Sequence, residues 1–473
     1  MRALKKEISL RQLFALGFGS IIGVGWITVL GAWLAGAGAL GAMLAFAIGS
    51  IIVIMIALCY AEMATRFPVS GGEIVYLHEV FGLRLSFIAG WLLILGYVSV
   101  VVFEAISVGW ILGALFPGIE GPELYSVAGT PVTLGGLSAG LLGMAGIAWV
   151  NIRGAKSAAR LQEFMSFLLI GVTAVFCLAA FTRGELGNLQ PHFVPDSDGL
   201  YWPGVAAILV IVPFFFSGFD VIPQAMGEKS EDAPMHGVPL VLALSIIAAG
   251  LFYIGVIAAA AMAMPRAALL QEELPVATAI TQALGSSMGG KLVLFAGLLG
   301  LVTGWNTFTY GAARLLFALG RARIVFSPFG ELHPRYRTPS RALIAISIVG
   351  AIGCFFGRGA LLPIIDAGSL AFVLAYLAVC VAAFRVGGTP REQGFVYRMA
   401  GGQHMRTVAV VLTSTLALYA FYLPYEGSGG GMPVEWSMLT IWLWAGSILY
   451  LIGRKDRQAL SRSERSELLL SDR

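Results

Sequence analysis

Apolar residues in this chain come in long unbroken runs separated by short polar stretches. A run of about 20 apolar residues crosses a hydrocarbon layer ~30 Å thick. Twelve runs reach that scale, at about 12–34, 40–63, 86–115, 133–150, 158–181, 203–226, 238–263, 290–319, 341–357, 360–384, 406–424 and 434–453. The longest polar stretches between them are roughly twenty residues, too short to bury a core of their own. The pattern predicts an all-α integral membrane protein of twelve transmembrane helices. Ahead of the first run, "MRALKKEISLRQLF" is basic and then polar, and no A-x-A-like cleavage site follows. That run is therefore read as a retained span and not as a signal peptide.

Two runs break the pattern from within. The first carries Gly17, Gly19, Gly23, Gly25 and Gly31, and the sixth carries Pro213, Ser217, Gly218, Pro223 and Gly227. They lie five spans apart, so a repeat beginning at the sixth would enter the membrane from the opposite side. Helices interrupted at corresponding positions of two inverted halves point to a midplane binding site, because lipid satisfies none of the backbone groups that a break frees. Gly19-x-x-x-Gly23 is also a helix-packing pattern, and Pro213 or Pro223 alone could be a kink. The pairing of the two breaks, with an acid after the second, favours binding.

Composition narrows the class. The 473 residues are 58% hydrophobic and 12% charged, with a mean hydropathy of +0.85. With both termini cytoplasmic, nearly all of the 30 Lys and Arg fall on the inner side, and only Arg183, Arg266, Lys291 and Arg358 on the other. The net charge of +4 thus reports topology and no nucleic-acid partner. Arg454, Lys455 and Arg457 are expected beside anionic lipid head groups. Cys59, Cys177, Cys354 and Cys380 lie in apolar runs without metal-like spacing and read as packing. The five histidines map to loops or span ends, which disfavours a membrane metalloenzyme or acyltransferase, since ligands or catalytic groups would cluster at one depth. There is no G-x-x-x-x-G-K-S/T loop for ATP.

Intramembrane acids cost at least ~2.5 kcal/mol on insertion scales, so each is a functional candidate. Glu104 sits mid-span in "YVSVVVFEAISVGW", Asp220 directly follows the second break, and Asp366 lies toward the outer part of the tenth run. No Lys or Arg shares the depth of Glu104, so it is expected to be protonated for part of a working cycle. It could then carry a coupling proton or bind a cationic substrate group; a permanently neutral, hydrogen-bonded Glu is the structural alternative. Thr303 and Thr307 could give hydroxyls to a sodium ion, or simply back-bond within their helix.

Several stretches resemble the amino acid-polyamine-organocation (APC) superfamily of secondary transporters. These are "GSIIGVG" in the first run, "YAEMATRFPVSGGEIVYLHEVFG" at 60–82, "FFFSGFD" in the sixth run and "NTFTYGAARLLFALGR" in the eighth. The likeness covers about the first 390 residues in order and spacing. It implies the leucine-transporter fold: an inverted-repeat core over 1–385, with spans 1–5 at about 12–181 and spans 6–10 at about 203–384. Residues 386–473 would add two helices and a cytoplasmic tail. In such a fold Gly23 opens the first break, and the backbone N–H groups of Val24 and Gly25 hold a substrate carboxylate. The carbonyls of Ile21, Phe214 and Ser217 receive its ammonium, with Gly218 at the second break and Phe214 as the gating aromatic. Phe215, Phe216 and Phe219 flank Phe214, and which of them faces the substrate stays open. Trp305 and Asn306 are further candidates for lining the site. Some members place a lysine in span 5; here Lys156 falls at the start of that run and nothing basic follows inside it. The resemblance implies no enzyme and no cofactor beyond a coupling ion, H⁺ or Na⁺.

The expected function is amino acid transport across the plasma (inner) membrane by alternating access, proton-coupled or by exchange, with a small-molecule substrate, an amino acid or related amine, and membrane lipid as partners. Alternatives are an amine or polyamine carrier using Glu104 as cation partner, and a non-transporting nutrient sensor, which would be expected to carry long cytosolic extensions. A closing ion-pair network is expected at the cytoplasmic face from Glu62, Arg66, Glu73, Glu228 and the arginines of the loop between spans 8 and 9.

Overall fold

The computed structural model describes residues 8–69, 71–154, 158–387, 395–427 and 431–470, with the side chains of 158–162 and Glu228 outside that description. Eleven of its helices are long and apolar enough to cross a membrane, and the shorter apolar helix Ser340–Cys354 takes the place of the ninth predicted run. The protein is an all-α integral membrane protein with the expected twelve spans. Lys156 falls outside the described residues.

Span 1 begins at Leu10 under a capping box, in which Ser9 Oγ accepts the Gln12 N–H and the Gln12 side chain accepts the Ser9 N–H. It runs to Ile21, breaks over 22–24 and resumes at Gly25–Thr28. The next helix, Leu30–Arg66, joins the far end of span 1 to span 2 through a turn at Gly38, whose φ of 77° places it in the region favoured by glycine. The carbonyl of His192 accepts the N–H groups of Leu40 and Gly41 at this turn, so the loop before span 6 satisfies donors that the break in helix exposes.

Span 3 is Leu83–Leu115, span 4 Leu134–Arg153, span 5 Ala158–Arg183 and span 7 Gly237–Ala263. Span 6 is Trp202–Phe216 followed, after a four-residue break, by the single turn Val221–Gln224. Span 8 is Ser287–Arg321, span 10 Leu361–Val386, span 11 Gly402–Gly427 and span 12 Val434–Ile452. Span 7 packs along span 2, spans 8 and 10 pack along span 3, and the two broken helices lie between them. A small antiparallel hairpin, β1 (Glu123–Val127) and β2 (Thr130–Thr133), joins spans 3 and 4.

The face that carries both described ends has two features the hydropathy pattern does not show. The helix Gly72–Phe81 between spans 2 and 3 is largely buried, and the tail helix Arg462–Leu470 docks against it. Arg465 is buried and donates to the carbonyls of Ala322, Arg457 and Leu460, while Arg462 donates to Glu79 O. The expectation of three lipid-facing basic residues in the tail is corrected for Arg457. Its guanidinium lies over the Tyr450 ring at 3.6 Å and donates to the carbonyls of Ile324 and Tyr450. Arg454 and Lys455 are exposed.

Candidate functional site

The break in span 1 leaves backbone groups that the helix cannot pair. Among the described residues, none of the N–H groups of Val24, Gly25 and Trp26 donates to a backbone carbonyl, whereas those of Ile27, Thr28 and Val29 do. These three donors open the second half of span 1, where a helix carries partial positive charge. The carbonyls on the other side of the break are engaged. Gly23 O accepts the Trp26 indole N–H at 3.0 Å, and Ile21 O accepts the Gly23 N–H at 3.1 Å and the Tyr253 hydroxyl at 3.2 Å.

Span 6 breaks beside it. Gly218 has a φ of 113°, and a Cβ built there would lie 2.7 Å from Ser20 Cβ, so glycine is required both by conformation and by the close approach of span 1. Phe214 O accepts the Ser217 N–H at 3.3 Å and the Ser217 hydroxyl at 2.7 Å. Of the carbonyls expected to receive an ammonium, those of Ile21 and Phe214 are thus met by the protein's own hydroxyl donors. The four aromatics divide their roles. Phe214 turns to Phe103 at 5.6 Å and packs on Gly368. Phe215 covers Gly25 and meets Trp33 at 5.0 Å. Phe216 packs on Tyr253, and Phe219 on Tyr60 and Tyr376.

Glu104 projects from span 3 into the break of span 1. It is buried, its Oε1 lies against Gly23 and Gly304, and the Val24 N–H faces the carboxylate. A methyl at Gly23 would collide with Oε1. Oε2 has no hydrogen-bond partner among the described residues, nor has Ser107 Oγ on the same helix. Span 8 presents backbone and glycine here: a Cβ at Gly300 would stand 3.5 Å from Ile22 O. Thr303 and Thr307 donate to Gly300 O (2.8 Å) and Thr303 O (2.9 Å) of their own helix, which is the packing role weighed from sequence. Asn306 accepts from Asn151 of span 4 at 2.7 Å, and Trp305 is buried against Gly143 of the same span.

Asp220 lies deeper toward the termini side. Its Oδ1 accepts the Gly218 N–H at 2.8 Å, and its Oδ2 accepts the hydroxyls of Tyr97 at 2.9 Å and Tyr376 at 3.4 Å. Gln224 Nε2 donates to Tyr97 Oη at 2.7 Å and to Glu73 Oε2 at 3.4 Å. A buried polar chain therefore ties span 6 to spans 3 and 10 and to the helix Gly72–Phe81. Burial, and then the charge of Asp220, push the Glu73 carboxyl up to about 8. Asp366 is half-buried in span 10, apart from this chain.

The predicted closing network is corrected. Glu62 pairs with Arg406 of span 11, which it meets through Oε1–Nη2 and Oε2–Nε bonds of 2.8 Å each, with both side chains buried. No arginine of the loop between spans 8 and 9 supplies that bond. Glu73 bonds Gln224, Arg66 donates to Val386 O at 3.5 Å, and Glu331 of that loop pairs with Arg341 in the first turn of the ninth span at 2.7 Å. The Glu228 side chain lies outside the described residues.

Comparison with known proteins bears on this geometry. A family model described as "Amino acid permease" matches residues 8–450. The chain is 30% identical to the branched-chain amino acid permease BcaP of Bacillus subtilis over 402 residues, 82% of this chain and 83% of the relative. It is 25% identical to the methylthioribose transporter of the same organism over 98% of this chain and 96% of the relative. To the Bacillus subtilis amino-acid permease RocE it is 27% identical, over 74% and 73% of the two chains.

Proposed function

The chain belongs to the amino acid permease family, and from that premise we propose that it carries a neutral, apolar amino acid together with a proton by alternating access. The observation that carries this reading is the row of N–H donors at Val24, Gly25 and Trp26, opened inside a buried helix and faced by one buried carboxyl, Glu104. A substrate carboxylate satisfies donors of this kind without any cationic side chain. The carbonyls of Ile21, Phe214 and Ser217 then receive the ammonium, displacing the hydroxyls of Tyr253 and Ser217 from the first two. The rings of Phe103, Phe214 and Phe215 and the backbone at Gly23 and Gly218 enclose an apolar side chain.

The proton is the coupling ion this arrangement favours. Glu104 has an unpartnered oxygen and, among the described residues, no cation beside it, while the hydroxyl protons of Thr303 and Thr307 go to carbonyls of their own helix. In this reading the core 1–385 comprises two inverted repeats, about 12–181 and 203–384. Their two broken helices move as a pair against the remaining spans, and residues 386–473 are an addition. Both termini face the cytoplasm from the plasma (inner) membrane. Asp220, held by two tyrosines, ties the inner half of span 6 to that scaffold and must release it as the site opens inward.

The test is uptake into proteoliposomes of a panel of labelled amino acids, their decarboxylated amines and methylthioribose, under an imposed proton gradient and separately under a sodium gradient. Accumulation of an apolar amino acid with the proton gradient supports the reading. Accumulation only of amines or of methylthioribose, neither of which bears a carboxylate, overturns the anion site at Val24 and Gly25.

A further inference from the structure

The carboxylate of Glu104 stands where the carboxylate of an amino acid would be held. We infer that Glu104 is a built-in competitor of the substrate, occupying the Val24 N–H when ionised and giving it up when it takes a proton; the inference rests on the transport reading above.

Three observations carry it. The Val24 N–H, one of the donors left free by the break in span 1, faces Glu104. The carboxyl comes up to the break because residues 23 and 304 on the two sides are glycines, and any Cβ at Gly23 would collide with Oε1. The substitution extends to the other end of the site, where Tyr253 Oη donates to Ile21 O and to Phe215 O, and Ser217 Oγ to Phe214 O. A carboxylate and two hydroxyls of the protein together present the groups of an amino acid to the broken helices.

The surroundings supply nothing that would hold the anion independently. Among the described residues, the titratable side chain facing Glu104 is Tyr253 of span 7. Span 1 presents backbone at Gly23 and Val24, span 8 presents Gly300 and Gly304, and span 3 itself adds Ser107. With one row of N–H donors and two carboxylates competing for it, binding of an amino acid favours the neutral form of Glu104, and a proton on Glu104 favours binding of the amino acid. The coupling is reciprocal. It also discriminates by chemistry, since an amine without a carboxylate does not compete for these donors.

The experiment is titration calorimetry on the purified full-length protein with L-leucine and with 3-methylbutylamine, the same skeleton without the carboxylate. Titrations run from mildly acidic to mildly alkaline pH in buffers of different ionisation heat. Wild type should take up about one proton per leucine bound on the alkaline side, with affinity falling up to about tenfold per pH unit. Glu104→Gln should bind leucine with little pH dependence and no proton uptake. Glu104→Asp, whose carboxyl is withdrawn by one methylene, should bind leucine more tightly than wild type at alkaline pH while still taking up a proton. Leucine binding that shows the same proton uptake in wild type and Glu104→Gln overturns the competition but leaves the transport reading standing. Leucine that binds neither protein, at any pH, overturns both.

Discussion

Gly218 of span 6 stands directly against Ser20 of span 1, so near that a Cβ on the glycine would lie 2.7 Å from Ser20 Cβ. The two interrupted helices are thus in contact at their breaks. Gly218→Ala should cost at least about 1–2 kcal/mol, from the left-handed backbone and the collision together, and should abolish uptake. Gly36→Ala, where a Cβ meets nothing within 4 Å, should leave both melting temperature and uptake near wild type. Thermal unfolding in detergent, alongside liposome uptake, compares the two.

Gly23 is required by Glu104 as much as by the backbone. A methyl at position 23 runs into Glu104 Oε1, so Gly23→Ala should lower the melting temperature, whereas Gly23→Ala combined with Glu104→Ala should recover most of the loss. The non-additivity of the two substitutions, measured as a double-mutant cycle, is the readout. Additive losses would mean that the two side chains do not meet.

The buried pair Glu62–Arg406 joins span 2 to span 11 through two 2.8 Å bonds. Arg406→Met should destabilise by about 3–5 kcal/mol because it strands a buried carboxylate, while Glu62→Leu with Arg406→Met should be far milder. Chemical or thermal unfolding of the three variants gives the comparison.

Glu73 makes stability depend on pH. Its carboxyl is raised from an ordinary 4.5 to about 8 in the folded protein, so between those values the folded state holds a proton that the unfolded state has lost. Stability contributed in this way is fully present below 4.5 and is lost as pH rises toward 8. The melting temperature of wild type should therefore fall across that window, and Glu73→Gln should flatten the fall. A melting temperature equally steep in Glu73→Gln would assign the slope to another group.

The span order and both breaks were legible because lipid imposes long apolar runs, and because glycine, proline and serine are conspicuous inside them. Glu104 and Asp220 were visible for the same reason, as charges where charge is costly. Their partners were not. Tyr97 is 123 residues from Asp220 and Arg406 is 344 residues from Glu62 in sequence, and no local pattern couples them. Tyr253, which holds the Ile21 and Phe215 carbonyls, looks like one more aromatic in an apolar helix. The hairpin Glu123–Thr133 and the tail helix were missed because a hydropathy window long enough to find spans averages over elements of four to nine residues. Arg457 reads as charge at the lipid surface, yet its guanidinium, like that of Arg465, donates to a carbonyl just past the end of span 8.

The most direct measurement is a pair of assays on Glu104→Gln in proteoliposomes: substrate counterflow, which needs binding and the conformational cycle but no gradient, and accumulation driven by an imposed proton gradient. If Glu104 carries the coupling proton at the break of span 1, counterflow persists and proton-driven accumulation disappears. Proton-driven accumulation at wild-type level in Glu104→Gln would contradict the account.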